Sequence, residues 1–112
     1  MLTGVAGFIG FHLAERLMRD NAIENIIAID NLNDYYDVQL KKNRINNLKK
    51  NKNSHKLLIS RIDINNYKKI LFLAKKFHVK IIYHLAAQAG IRHSFINPRS
   101  YIDSNINGFF NI

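Results

Sequence analysis

The sequence predicts an α/β fold, a parallel sheet covered by helices on both faces. Three observations carry that prediction. Short apolar runs alternate with segments of helical spacing, a glycine-spaced turn runs straight into a helix, and an acid ends the second apolar run. Right-handed crossovers make an open, doubly wound sheet the simplest topology, with strand order 3-2-1-4.

The elements follow in order. The opening MLTGVAGFIGFHLAERL places Gly4, Gly7 and Gly10 three residues apart, and only Met1 and Leu2 precede Thr3. The first strand is therefore expected as a stump of the roughly five or six residues that strands usually have. Ile9, Leu13 and Leu17 recur at helical spacing, and that helix should end near Asp20–Asn21. NIIAID (Asn25–Asp30) reads as a strand buried on both faces, and Asn31–Asp37 as a turn. A second helix is expected over Val38–Leu48 through Leu40, Ile45 and Leu48, broken by Asn51–Ser54. KLLIS (Lys56–Ser60) reads as the third strand, and Tyr67–His78 as a helix through Ile70, Leu71, Ala74 and Phe77. KIIYHLAA (Lys80–Ala87) reads as the fourth strand, and Pro98 opens a last helix running to Ile112. With no repeat and no break, residues 1–112 are expected to form a single partial Rossmann-type domain of about four strands, trimmed at both ends.

Composition narrows the function classes. A chain of 112 residues with 47% hydrophobic and 22% charged residues is globular. The runs Ile26–Ile29 and Ile81–Ala87 are too short to span a bilayer, and the N-terminus has no basic segment followed by a continuous apolar one. The absence of cysteine removes disulfides and thiolate chemistry, and a cytoplasmic location is expected. The formal charge of +9 raises nucleic-acid binding, but much of it lies in LKKNRINNLKKNKNSHK (Leu40–Lys56). That stretch carries no interleaved aromatics and reads as a solvated helix and loop, so neither nucleic acid nor membrane is expected as a partner.

The chemistry begins at the glycines. A loop that leaves a buried strand and opens a helix presents unpaired N–H groups, and these with the helix dipole attract an anion. Glycine permits the turn and lets a pyrophosphate approach the backbone. The spacing Gly4-x-x-Gly7-x-x-Gly10 is neither the usual Gly-x-Gly-x-x-Gly fingerprint nor a P-loop, since no Gly-Lys-Ser/Thr closes it. Asp30 lies about twenty residues past the last glycine, where an acid accepts hydrogen bonds from an adenosine ribose. Its charge repels a 2′-phosphate, which favours NAD over NADP. The competing reading of Asp30 is a turn or helix-capping acid. The five histidines show no metal-ligand spacing, so no metal site is expected.

These motifs resemble a known family. TGVAGFIG, AIDNLNDYYDVQLKKNRI, RIDINN and YHLAAQAGIRHSFINPRSYIDSNINGFFNI are similar to the extended short-chain dehydrogenases/reductases. Within them, the NAD-dependent epimerase/dehydratases acting on nucleotide sugars are nearest. NLNDYYD and AAQAGIRHS point to the UDP-glucuronate 4-epimerase type. The resemblance implies that Gly4, Gly7 and Gly10 form the pyrophosphate turn, with Phe8 and Ile9 beginning the helix. It implies Asp30 on the ribose with Asn31 through Asn33 at its rim, and Asp63 and Ile64 beside the adenine. Leu85, Ala86, Ala87 and Gln88 would pass beneath the cofactor, and Asn105 would reach it from the last helix.

Bland readings stay open beside these. Asp63 could cap the Tyr67 helix, Ala86 and Ala87 could be small for packing, and Asn105 could be a surface asparagine. Arg92 could meet a sugar carboxylate or diphosphate, or lie in a surface loop. Tyr35 and Tyr36 have packing over the loop after Asp30 as their plain reading. The family's proton transfers need a Tyr-x-x-x-Lys pair. Four residues after the tyrosines stand Gln39, Leu40, Leu71, Ala87 and Asn105, so no catalytic residue is expected in this chain. The implied parent is a UDP-sugar 4-epimerase, with homodimerisation through helices that include the last one. A nucleotide-sugar 4,6-dehydratase is the alternative enzyme, and a non-catalytic NAD-binding or basic-surface protein is the alternative class.

Overall fold

In a computed structural model that describes all 112 residues, four parallel strands stand in the order β3-β2-β1-β4. The elements are β1 (Leu2–Thr3), α1 (Phe8–Met18), β2 (Ile26–Asp30), α2 (Val38–Lys50), β3 (Leu57–Arg61), α3 (Tyr67–Lys76), β4 (Tyr83–His84), α4 (Ile91–Ile96) and α5 (Pro98–Tyr101). This is the doubly wound α/β sheet expected from the sequence. No helix is long and apolar enough to cross a membrane.

Alternation along β2 divides the core between the faces of the sheet. Ile26 and Ala28 pack with Leu2, Ala14, Leu17, Met18 and Leu48 beneath α1 and α2. Ile27 and Ile29 pack with Ile64, Ile70 and Leu73 beneath α3. The last helix lies on that second face, where Gly108 sits against Ile64: a Cβ there would fall 2.4 Å from the isoleucine Cδ1.

Several boundaries differ from the sequence reading. The buried stripe of α1 is Gly10, Ala14, Leu17 and Met18, while Ile9 is exposed. Small residues let this helix approach the sheet closely, which the spacing of large apolar residues does not reveal. In α2 the buried pair is Lys41 and Leu48, and Leu40 is exposed. The fourth strand pairs only at Tyr83 and His84, because its sole neighbour is β1, two residues long. A short helix, α4, occupies the expected loop after it. The last helix begins at Pro98 as expected but widens into a π-helical stretch over Ile102–Gly108. The third helix closes on His78 at φ 48°, with His78 N–H donating to Lys75 O and Val79 N–H to Ala74 O, so a left-handed residue ends it.

Candidate functional site

The first anchor is the glycine turn. Gly4 N–H and Val5 N–H both donate to Ile29 O, at 2.9 and 3.3 Å, which swings the chain off the end of β1. Gly4 has φ +71°, and a Cβ on it would lie 2.8 Å from Ala86 N and 2.9 Å from the Leu85 carbonyl carbon. A Cβ on Gly10 would lie 2.1 Å from Gly4 O. These glycines are thus fixed by close backbone approach. No side chain caps α1 at Gly7, so its first amides keep donor capacity at the turn.

Asp30 faces the same turn. Its Oδ2 accepts from Ala6 N–H and its Oδ1 from Leu32 N–H, both at 2.9 Å. The turn-holding role left open by the sequence is therefore real, and each oxygen retains a further lone pair. Arg44 grips the same residue from its carbonyl side, donating from Nη1 to Ala6 O at 3.1 Å.

A polar rim continues outward. Lys41 Nζ donates to Asn33 O and Oδ1 at 2.7 and 2.6 Å, Asn31 Oδ1 accepts from Asn33 N–H, and Asn31 Nδ2 donates to Asp63 Oδ2. This ladder fixes the loop that carries Leu32 at φ 54°. Burial lowers the Lys41 pKa, opposed by the charges of Asp30 and Asp34 and aided by Arg44. Burial pushes Asp63 up, yet hydrogen bonds from Asn31 and from both nitrogens of Asn65 outweigh it and hold the carboxyl below its ordinary value.

Across the turn, side chains replace missing strand pairing. Thr3 Oγ1 accepts from Leu85 N–H and Ala86 N–H, both at 3.0 Å, and lies 2.8 Å from His84 Nδ1. Further on, Asn105 clamps Gln88 from both sides: its Oδ1 accepts from Gln88 N–H at 2.8 Å and its Nδ2 donates to Gln88 O at 3.0 Å.

Between these walls runs a cleft of about 640 Å³, within the range of ligand sites of roughly 300–1,000 Å³. It collects Gly4, Gly7, Phe8, Ile9, Gly10, Asp30, Asn31 and Asn33 on one side, with Ile64 and the run Leu85–Gln88 on the other. Asp63 and Asn105 stand outside the lining, supporting Asn31 and Gln88 respectively. Arg92 is exposed on α4 and does not line the cleft. Tyr35 and Tyr36 stack edge to face at 4.6 Å and line the cleft mouth, a position for which the sequence offered no role.

Two cleft residues were misread in the sequence. Lys41 and Arg44 sit in the stretch expected to be a solvated face, yet Lys41 is only 7% exposed and both line the cleft. The signal was available in the spacing: positions 41, 44 and 48 share one stripe of the helix with buried Leu48.

Comparison with known proteins fits this geometry. The family model described as GDP-mannose 4,6 dehydratase matches residues 1–112. A UDP-glucuronate 4-epimerase of Thermodesulfobacterium geofontis is 42% identical over the whole chain, which covers 33% of that protein. The crystal structure of UDP-glucuronic acid 4-epimerase from Bacillus cereus, in complex with UDP-glucuronic acid and NAD, superposes with a TM-score of 0.80 at 31% identity. That match covers 98% of this chain and 33% of the other. A UDP-Glc/GlcNAc 4-epimerase of Campylobacter jejuni, at 23% identity and a TM-score of 0.80 over 98% of this chain and 30% of that one, shares the fold. The chain spans about a third of the length of the curated relatives it matches. It belongs to the GDP-mannose 4,6 dehydratase family, within the NAD-dependent epimerase/dehydratases of the short-chain dehydrogenase/reductase type that its motifs resemble.

Proposed function

We propose that residues 1–112 are the NAD-binding part of a nucleotide-sugar 4-epimerase, with UDP-glucuronate or a related UDP-hexose as substrate. The observation that carries this is the pairing of an open glycine turn with Asp30 at one end of a dinucleotide-sized cleft. The likeness to UDP-glucuronate 4-epimerases supports the sugar.

The residues present suit the cofactor. A methyl group at Gly4 or Gly10 would collide with the backbone that shapes the turn, and the uncapped amides of α1 suit the pyrophosphate. Asp30 keeps acceptor capacity for ribose hydroxyls, and Ile64 offers an apolar wall beside the Asp63-supported rim. Leu85, Ala86, Ala87 and Gln88 form the opposite wall, held by Thr3 and Asn105. NAD, when bound, supplies reversible hydride transfer at the sugar C4. This chain's own residues bind and orient. None of its tyrosines has a lysine four residues on, so we assign the proton-transferring pair to residues outside 1–112. The exposed apolar positions Ile102, Ile106 and Phe109 on the last helix support the homodimer that the family resemblance implies.

Calorimetric titration of the 112-residue chain with NAD tests the reading. Saturable binding is expected, weakened about tenfold or more in Asp30→Ala, because hydrogen bonds to a charged group are worth about 1.5–3 kcal/mol. No C4 epimerisation by this chain is expected in a coupled assay. Absence of NAD binding overturns the cofactor assignment, and turnover overturns the assignment of the proton-transferring pair.

A further inference from the structure

The loop after β2 and the segment after β4 leave the sheet on opposite sides of β1, yet they meet again at the cleft mouth. The Tyr35 ring, on the first, lies 4.7 Å from the His93 ring on the second, and His93 lies 6.2 Å from Tyr101. Tyr36 backs Tyr35 from its own side at 4.6 Å. The hydroxyl end of Tyr35 rests on Gly90, where φ is +96° and a Cβ would overlap it. Tyr35 and Ala89 both line the cleft, so this contact bridges it.

Hydrogen bonds fix each side to itself. Tyr101 shares its hydroxyl proton between Ala89 O, at 2.8 Å, and Gly90 O, and Asn105 clamps Gln88. Lys41 holds Asn33, and Asp37 accepts from Gln39 N–H and Leu40 N–H, so the loop is pinned before and after Tyr35. Across the seam there is no hydrogen bond to Tyr35, only ring and backbone contact. Such contact is weak and parts without stranding a buried donor or acceptor. The seam is therefore where the cleft opens, by a swing of Tyr35 between two fixed anchors.

On the reading of the cleft as a dinucleotide site, we propose that Tyr35, closed on Gly90 and His93, is a gate on cofactor exchange. A dinucleotide enters and leaves only while the ring is lifted from the far side, so closure slows both directions. Retention of this kind suits a 4-epimerase, which returns the hydride from the same cofactor that took it.

The test is stopped-flow kinetics of NADH, followed by its own fluorescence, with excess NAD added to displace it. Tyr35→Ala should raise the association and dissociation rate constants together, each about fivefold, the scale of one aromatic pair, and leave their ratio within about twofold. His93→Ala, which removes the far half of the seam without touching the cleft lining, should do the same. Tyr35→Phe keeps the ring and should stay within about twofold of wild type in both constants. A side chain that merely touches the ligand would behave otherwise: its loss speeds dissociation alone and weakens affinity. That pattern in Tyr35→Ala overturns the gate, as do unchanged rates, and both leave the cofactor reading intact. Circular dichroism confirms folding, and a misfolded Tyr35→Ala leaves the decision to His93→Ala, for which unchanged rates overturn the gate. Failure of wild type and Tyr35→Ala alike to bind NADH or NAD overturns the cofactor reading and the gate with it.

Discussion

The two flanks of β1 are held by different chemistry. On one side β2 and β3 pair over Ile26–Asp30 and Leu57–Arg61, and the ladder runs on to Gly4 through Ile29 O. On the other side β4 meets β1 over two residues, and the chain beyond is tied by side chains: Thr3 on Leu85 and Ala86, Asn105 on Gln88, Tyr101 on Ala89 and Gly90. The flanks also differ in burial. Ile26 to Ile29 are all buried, whereas Ile81, Leu85, Ile91, Phe95 and Phe110 are exposed. The difference teaches that the Asp30 end of the cleft rests largely on a backbone ladder. The opposite wall rests on a few hydroxyl and amide groups, where one substitution removes several bonds together.

The largest expected effect breaks the strong flank at a point of close backbone approach. Gly10→Ala places a methyl 2.1 Å from Gly4 O and 3.0 Å from Val5 Cα, both backbone. Neither can move without unseating the turn from Ile29, so a loss of about 3 kcal/mol or more is expected in urea unfolding, at the upper end of overpacking costs. A variant as stable as wild type would show that the turn is looser than its packing implies.

The next effect isolates the weaker flank. Thr3→Val keeps shape and burial but removes the acceptor for Leu85 N–H and Ala86 N–H. A loss of about 2 to 3 kcal/mol is expected from the unmet donors, and Thr3→Ser should recover most of it. Hydrogen exchange should quicken at Leu85 and Ala86 and stay slow at Ile27 and Ile29. Equal change on both sides would show that the flanks unfold as one unit.

The same contrast explains what the sequence disclosed. Elements set by local pattern were legible: the continuous apolar run of β2, the glycine turn into α1, and Pro98 opening α5, whereas the cap of α3 is Asn66, accepting from Lys69 N–H, and not Asp63. So were the cleft residues that belong to those motifs, Gly4, Gly7, Gly10 and Asp30. Features set by partners distant in sequence were not. The length of β4 depends on how much of β1 faces it, and an apolar run from Lys80 to Ala87 carries no mark of that. Lys41 and Arg44 look like any solvated lysine-rich helix until Asn33 and Ala6 are brought alongside as acceptors. The family resemblance singled out Asn105 as a cofactor contact, but its clamp on Gln88 becomes visible only when the two segments are brought together.

The smallest expected effect separates the flanks by pH. Thr3 Oγ1 accepts two amide protons, so its one hydroxyl proton goes to His84 Nδ1, which must be the unprotonated nitrogen of a neutral ring. Burial lowers the His84 pKa from 6.5, in accord with that bonding. A lowered folded-state pKa means the unfolded chain takes up the proton first. The contribution is therefore complete above about pH 6.5 and is lost as pH falls through the folded value. Asp63, on the opposite flank, is also depressed, but from 3.8, so its contribution holds above that pH and fades only below it. Acidification should loosen the β4 wall first, with the amide signals of Leu85 and Ala86 shifting while those beside Asp63 stay fixed. His84→Asn, which offers an oxygen in place of Nδ1 and does not titrate, should flatten the first transition and leave the second. If both flanks shift together near pH 6.5, or if His84→Asn leaves the first transition in place, the pH response belongs to some other group than the Thr3–His84 pair.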